Sequence, residues 1–266
     1  MPIPLLSVIV TCFNLGQYLD EALQSVLEQT YKDWECIIVN DGSQDNTADI
    51  ANKWIHKDPR FVYFCQENRG VSSARNWGIH NAKGLFIIPL DADNKLRPEF
   101  IGTVISILDS NEQIDVVYGD AQFFEKKKLL LKGRPFDISE IVLNNYIDTC
   151  AGFRKKSWEE LGGYDENMPV YGFEDWDFWL RMAVKGYQFH YVETVMFDYR
   201  VRENSLLSKA WKERSLLIDY IFEKKELKHL LPFRNCLIEN QKLKEEPSVT
   251  MMIQVILKKI KRKFSF

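Results

Sequence analysis

The sequence predicts an α/β fold with a mostly parallel central sheet and helices on both of its faces. Three observations carry that prediction. Short apolar runs rich in β-branched residues recur through about the first ninety residues. These runs are apolar throughout rather than alternating, the pattern of strands covered on both faces. Segments with apolar residues at helical spacing separate them, and such alternation of strand and helix favours parallel strands joined by right-handed crossovers.

The elements follow in order. Leu5–Thr11 is an apolar strand, broken by Asn14-Leu15-Gly16. Tyr18–Gln29 places Leu19, Ala22, Leu23, Val26 and Leu27 on one helical face. Trp34–Val39 reads as a second buried strand, closed by Asn40-Asp41-Gly42-Ser43. Thr47–Lys57 is a helix, Phe61–Cys65 a strand, Val71–Asn81 a helix and Leu85–Leu90 a fourth strand. Pro89 is expected near the end of that strand, where a lost ladder bond matters least. Asn14, Asp41, Asn68-Arg69-Gly70 and Asp91 all fall just past strand ends. In open α/β sheets that rim is where ligands bind.

The second half reads differently. Pro98–Asp109 is a helix, and Val116–Phe124 a strand pair or one bent strand. Lys126-Lys127-Lys128 is a solvated turn before a short strand, Leu129–Lys132. Ser139–Leu143 and Lys156–Leu161 are short helices, and Glu174–Lys185 a longer one. Gln188–Val192 and Val195–Arg200 are strands, and Leu206–Leu231 is one or two helices ending at Pro232. Glu239–Ser248 is polar and reads as a linker. Residues 1–205 form one expected domain and residues 206–266 a helical extension.

The chain has 266 residues, 45% hydrophobic and 27% charged, with a formal net charge of −3. A length of this order suits one large domain with an appendage. No global basic excess exists to neutralise nucleic-acid phosphates, so nucleic acid is excluded as the main partner. Five cysteines without paired spacing (Cys12, Cys36, Cys65, Cys150 and Cys236) point to reduced thiols; the first three are expected in or beside the core. The N-terminus runs from Pro2 and Pro4 into a strand without the features of a signal peptide, and no apolar run approaches membrane-spanning length. A cytoplasmic location is the resulting expectation. His56, His80, His190 and His229 show no ligand spacing.

Chemistry gathers around Ile87-Ile88-Pro89-Leu90-Asp91-Ala92-Asp93-Asn94. An apolar strand runs into two carboxylates one residue apart, and in extended backbone residues two apart point the same way. Asp91 and Asp93 can then converge on one hard cation, or one can hold the metal and the other its substrate. Mg or Mn held this way completes its shell with water and substrate phosphates, as a nucleoside diphosphate would supply. Read without any ligand, the stretch is a solvated Asp-rich turn ahead of Pro98.

Other stretches tip that balance. Ser7-Val8-Ile9-Val10-Thr11-Cys12-Phe13-Asn14 opens the chain, and Val39-Asn40-Asp41-Gly42-Ser43-Gln44-Asp45-Asn46-Thr47 closes the second strand. Asn68-Arg69-Gly70-Val71-Ser72-Ser73-Ala74-Arg75-Asn76 precedes Asp91-Ala92-Asp93, and Phe173-Glu174-Asp175-Trp176-Asp177 opens the late helix. In this order the five resemble the family 2 glycosyltransferases with the GT-A fold, over roughly residues 5–205.

The resemblance implies an inverting transferase that takes a UDP- or dTDP-sugar and extends a growing glycan or a lipid-linked saccharide. It places Thr11, Phe13 and Asn14 at the base and ribose, where an aromatic ring can stack on the base. It has Asp41 accept from the base N3–H, although Asp41-Gly42-Ser43 also reads as a plain turn. It sets Arg75 on the nucleotide or diphosphate side, where a guanidinium fork suits anionic oxygens; the plainer reading is a surface ion pair. Asp91 would touch the ribose or a metal-bound water, and Asp93 the metal. Asp175 matches the family's general base within the Glu174-Asp175 pair, and both acids also suit a helix N-terminus. Trp176 and Trp179 read as core and pocket wall, Tyr171 and Phe173 as weaker acceptor contacts. The chain departs from the pattern at Tyr199-Arg200-Val201-Arg202, because many relatives carry His at the position of Arg202. A protonated guanidinium does not ligate metal, so Arg200 or Arg202 is expected to neutralise the leaving diphosphate instead.

The tail stands apart. Ile253, Ile256, Leu257, Ile260 and Phe264 share a helical face opposite Lys258, Lys259, Lys261, Arg262 and Lys263. Such a helix can lie peripherally on an anionic membrane, and equally it can be a solvated helix or a packing arm. Two rival functions are a nucleotidyltransferase and an inactive nucleotide- or carbohydrate-binding module. The first would call for a Gly-rich basic loop that Thr11–Gly16 lacks, and the intact acidic pairs speak against the second.

Overall fold

A computed structural model describes residues 4–202 and 205–245. Its frame is one nine-stranded sheet. β1 (Leu6–Cys12), β2 (Trp34–Asp41), β3 (Phe61–Gln66) and β4 (Phe86–Asp91) run parallel in the order β3-β2-β1-β4. Every residue of β1 and β2 is buried, which is why their sequences are apolar without alternation. Opposite parities feed two cores. Val8 and Val10 join the cluster of α1 (Gly16–Leu27) and α2 (Thr47–Lys57), whereas Ile9 joins that of α3 (Val71–Asn81). Gly78 brings α3 close, because a Cβ there would lie 2.4 Å from Cγ2 of Ile9.

Pro89 sits inside β4, opposite Ile9, and not at its end. The backbone N–H groups of Phe86 and Ala92 go to Leu5 and Thr11 on the β1 side. Pro89 is out of phase with them, so its missing donor faces the other edge, where pairing has already stopped at Ile87.

That edge carries short antiparallel strands the sequence did not announce. β5 (Lys95–Leu96) and β8 (Gly152–Arg154) are too short to show a period. After α4 (Phe100–Ser110) comes β6 (Val116–Glu125), one long strand with a β7 hairpin (Leu130–Leu131) on it. Beyond α5 (Ile138–Ile141), α6 (Lys155–Leu161) and α7 (Glu174–Val184), β9 (Phe189–Val201) is a single strand where two were expected. Gly119 pairs with Val192 and Asp120 with Val195, so Glu193 and Thr194 form a bulge that reads as a break in sequence. The sheet continues β4-β8-β6-β9-β5.

The C-terminal helices α8 (Leu206–Lys212), α9 (Arg214–Glu223) and α10 (Leu231–Glu245) correct two expectations. Pro232 begins α10 instead of ending a helix, since a first-turn residue needs no N–H partner. The expected linker from Glu239 is helical to Glu245. Leu217, Ile221, Phe222 and Leu227 bury against Trp176, Phe178 and Trp179 of α7. All five cysteines are free, but Cys65 is exposed on β3, unlike core Cys12 and Cys36. Among the described residues no helix is long and apolar enough to cross a membrane. The tail Met251–Phe266 lies outside the described residues, as do Glu203 and Asn204.

Candidate active site

Beyond the carboxyl ends of β1, β2 and β4 opens a cavity of about 500 Å³. Thr11, Phe13, Asn14, Asp41, Arg75, Asp91, Asp93, Glu174, Asp175 and Arg202, all expected at the site from sequence, line it, and Arg200 does too.

The end of β1 supplies one wall. Asn14 takes a left-handed turn with φ 52°, which an Asn tolerates. Its backbone N–H donates to Ser43 Oγ (2.9 Å) and its Oδ1 accepts from the Gln44 N–H (2.8 Å), tying the first loop to the second. Phe13 is left 46% exposed. Asp41 is buried and already holds three donors: Gln66 Nε2 at 2.7 Å and the N–H groups of Arg69 and Gly70 at 2.9 Å each. Gly70 has φ 91°, and Tyr171 fills the space its Cβ would need.

Two arginines neutralise the acidic pair after β4. Arg75, 2% exposed, bridges Asp91 (2.8 Å) and Glu174 (2.7 Å). Burial pulls its guanidinium down, and the two carboxylates outweigh that and hold it above its ordinary value. Arg75 is thus a buried clamp, neither a surface ion pair nor an unpaired cation. Arg202 Nε pairs with Asp93 Oδ2. Burial, and then the charge of Asp91, push the Asp93 carboxyl up against that pairing. Arg200 takes no part in this neutralisation, because its guanidinium is committed to Glu125, Glu21 and the Asp93 carbonyl. Its N–H also donates to Asn94 Oδ1 at 2.9 Å, so it fixes the acidic turn from below.

Asp91 Oδ2 and Asp93 Oδ1 accept no hydrogen bond from another described residue. Two such oxygens fit a Mg or Mn ion that draws its remaining ligands from phosphates and water. No larger cage exists: among the described residues no three His, Cys, Asp or Glu side chains converge on one point.

The start of α7 supplies the other wall. Both Glu174 oxygens are taken, Oε1 by Arg75 and Oε2 by the Gly172 N–H at 2.5 Å. Asp175 accepts from the Trp176 N–H (2.7 Å) and from Asn145 Nδ2 (3.0 Å). Burial, then the charges of Glu174 and Asp148, push its carboxyl well above the usual range. Of the two acids, Glu174 is committed to Arg75 and the Gly172 N–H, and Asp175 has no cationic partner among the described residues. Trp176 and Trp179 are wholly core and do not line the cavity; of the two aromatics before the helix, Tyr171 does and Phe173 is buried.

Sequence reading missed Asp148, which lines the same cavity just before β8. Burial, chiefly, pushes its carboxyl up to about 7. Tyr199 on β9 also lines the cavity. Tyr199 opens the Tyr199-Arg200-Val201-Arg202 stretch but was given no role there; Asp148 sits in no recognisable motif, and its one available signal was a lone carboxylate in the apolar run Tyr146–Ala151.

Comparison with known proteins agrees with this architecture. A profile described as N-terminal domain of galactosyltransferase matches residues 143–203. An uncharacterized glycosyltransferase of Rickettsia typhi is 32% identical over 78% of this chain, which spans 65% of that protein. Glycosyltransferase GlyA of Streptococcus pneumoniae is 27% identical over 87% of this chain, which spans 37% of it. In fold, the chain resembles S. aureus TarS 1-349 in complex with UDP-GlcNAc (TM-score 0.65, 20% identity, 77% of this chain and 61% of TarS 1-349). It also resembles the mannosyltransferase PcManGT of Pyrobaculum calidifontis, in complex with GDP-Man and Mn²⁺ (TM-score 0.61, 17% identity, 98% and 81%). The family profile described as Glycosyl transferase family 2 covers residues 7–162, more than half the chain and every strand from β1 to β8; with the acidic turn after β4 set at the rim of a GT-A-like sheet, this chain belongs to glycosyl transferase family 2.

Proposed function

We propose that this chain moves a sugar from a UDP- or dTDP-sugar to a hydroxyl of a growing glycan or lipid-linked saccharide, with inversion at the anomeric carbon. The observation that carries this reading is the convergence of Arg75, Asp91, Asp93, Asp175 and Arg202 on one cleft at the strand ends. Phe13 offers an open ring to the base. Asp41, braced by three donors, presents a fixed carboxylate to the base N3–H. The UDP-GlcNAc held by TarS supports a uridine donor.

In the reaction the acceptor oxygen forms a bond to the anomeric carbon as the bond from that carbon to the diphosphate oxygen breaks. Asp175 takes the acceptor proton, and its raised affinity for protons suits that role. Arg202 leaves Asp93 for the diphosphate and meets the charge that develops there. A Mg or Mn ion on the open oxygens of Asp91 and Asp93 would supply further charge stabilisation.

The test is a thermal-shift and calorimetric titration with UDP, dTDP, GDP and ADP, each with and without Mn. Metal-dependent stabilisation by UDP or dTDP is expected, about 3 kcal/mol at a hundredfold excess over Kd, and Asp93→Ala should abolish it. Asp175→Asn should keep that binding and lose ~10²–10⁴ in turnover. A protein stabilised by none of the four nucleotides would refute the reading.

A further inference from the structure

A second groove, of about 430 Å³, lies on the outer side of α3 against α6. Its lining includes Arg69, Trp77, His80, Asn81, Trp158 and Glu166. Nothing in the transfer described above uses it.

The groove is built rather than incidental. Asn76 forms its floor with every amide bond made: Oδ1 accepts from Trp158 Nε1 (3.0 Å) and the Tyr164 N–H (2.8 Å), and Nδ2 donates to Tyr164 O and Glu166 Oε1 (2.8 Å each). Trp158 is held by its polar edge and its ring is left as wall. Trp77 is 37% exposed. Its Nε1 donates to no described residue, and its ring meets no described ring or cation. The side chains of Arg69 and His80 likewise make no hydrogen bond or ion pair among the described residues. Together the two indoles give the groove an apolar wall, one ring partly exposed and the other held by its polar edge.

The chemistry narrows what such a groove can hold. The C–H face of a pyranose stacks on an indole ring, and its hydroxyls bond to amide, imidazole, guanidinium and carboxylate groups. All four polar types ring the two indoles here. The groove also shares a wall with the active-site cleft. Tyr171 lines the cleft, and its hydroxyl bonds the carbonyls of Arg69 (3.2 Å) and Glu166 (3.1 Å), both of which line the groove.

We propose that this groove is a second saccharide site, which holds the acceptor glycan at a distance from the hydroxyl being extended. The inference rests on the transferase reading above. A glycan long enough to cross Tyr171 gains the groove, and a short acceptor does not. The site therefore makes longer acceptors better ones without touching the reacting atoms.

The experiment uses the full chain and four oligosaccharide series as probes: cello-, malto-, xylo- and chito-oligosaccharides of one to six units. Binding is read by intrinsic tryptophan fluorescence and calorimetry, for wild type, Trp77→Ala and His80→Ala. Circular dichroism and Mn-dependent UDP binding on the same samples report the fold and the donor site. Expected is binding of at least one series that strengthens with length, weakened about tenfold by Trp77→Ala and less by His80→Ala, with UDP binding unchanged. Absence of binding by every series, or equal binding by both variants, overturns the proposal. So does a concentration-dependent dimer that Trp77→Ala abolishes, since the groove would then hold a second copy. Absence of oligosaccharide binding by wild type with its UDP binding intact counts against the groove alone. Absence of UDP and dTDP binding with oligosaccharide binding intact counts against the transferase reading and supports the saccharide site.

Discussion

Replacing Arg75 by Met tests the electrostatic centre of the site. The change keeps side-chain length and removes the charge that Glu174 and Asp91 share. The Glu174 carboxylate is 6% exposed and its Arg75 partner 3%, so the variant strands a buried charge. Breaking a pair of that kind costs about 3–5 kcal/mol. The arm to Asp91, whose carboxylate is 33% exposed, adds at most about 1 kcal/mol because solvent screens it. The expected loss is therefore carried by Glu174. Urea unfolding at about pH 7.5, followed by fluorescence and extrapolated linearly, measures it. Adding Glu174→Gln to Arg75→Met should recover half the loss or more, because the unpaired charge that remains, Asp91, is partly solvated rather than buried. A loss below about 1 kcal/mol, or a double variant no more stable than Arg75→Met, would show that the pair is not buried against solvent as described.

Two further outcomes follow from the same charges. A carboxyl whose folded value is raised binds more protons folded than unfolded, so Asp148 costs stability progressively as pH rises from about 4 to about 7. Asp148→Asn should therefore match wild type near pH 4 and exceed it by about 4 kcal/mol near pH 8; equal stability at both ends of a urea series would refute this. Arg202→Ala should lower turnover by ~10²-fold in a coupled nucleotide-release assay, the loss expected for one preorganised donor to developing charge, and unchanged turnover would remove Arg202 from the reaction.

Much of this was legible in the sequence because it depends on neighbours. Val8, Ile9 and Val10 announced a strand buried on both faces, and Asp91 and Asp93 announced an acidic pair at a strand end, although the backbone turns after Asp91 (Asn94 N–H to Asp91 O, 3.0 Å) instead of running extended through both. What stayed hidden depends on distant partners. Nothing near Arg75 says that it will meet Glu174, 99 residues on, or that Arg200 will reach Glu21, 179 residues back. Arg200 and Arg202 look equivalent in sequence and both line the cavity, and only the packing of β9 under the acidic turn commits one to Glu21, Glu125 and the Asp93 carbonyl and pairs the other with the Asp93 carboxylate. Glu193-Thr194 looked like a gap between strands because a bulge and a loop use the same polar residues. Pro232 looked like a stop because Pro bars helix interiors but is welcome in a first turn.

The distance between Arg75 and its second carboxylate also has a meaning on the ribosome. At about 5–20 residues per second, translation separates the two by roughly 5–20 s. Through that interval the chain contains Asp91 but neither Glu174 nor the α7 wall of the cleft. β9, which brings both Arg200 and Arg202, emerges later still. A half-synthesised chain thus has the loops of β1 and β2 proposed for the nucleotide but neither the proposed base nor the cation proposed for the diphosphate. Under that proposal, donor bound to it too early leaves with its sugar still attached.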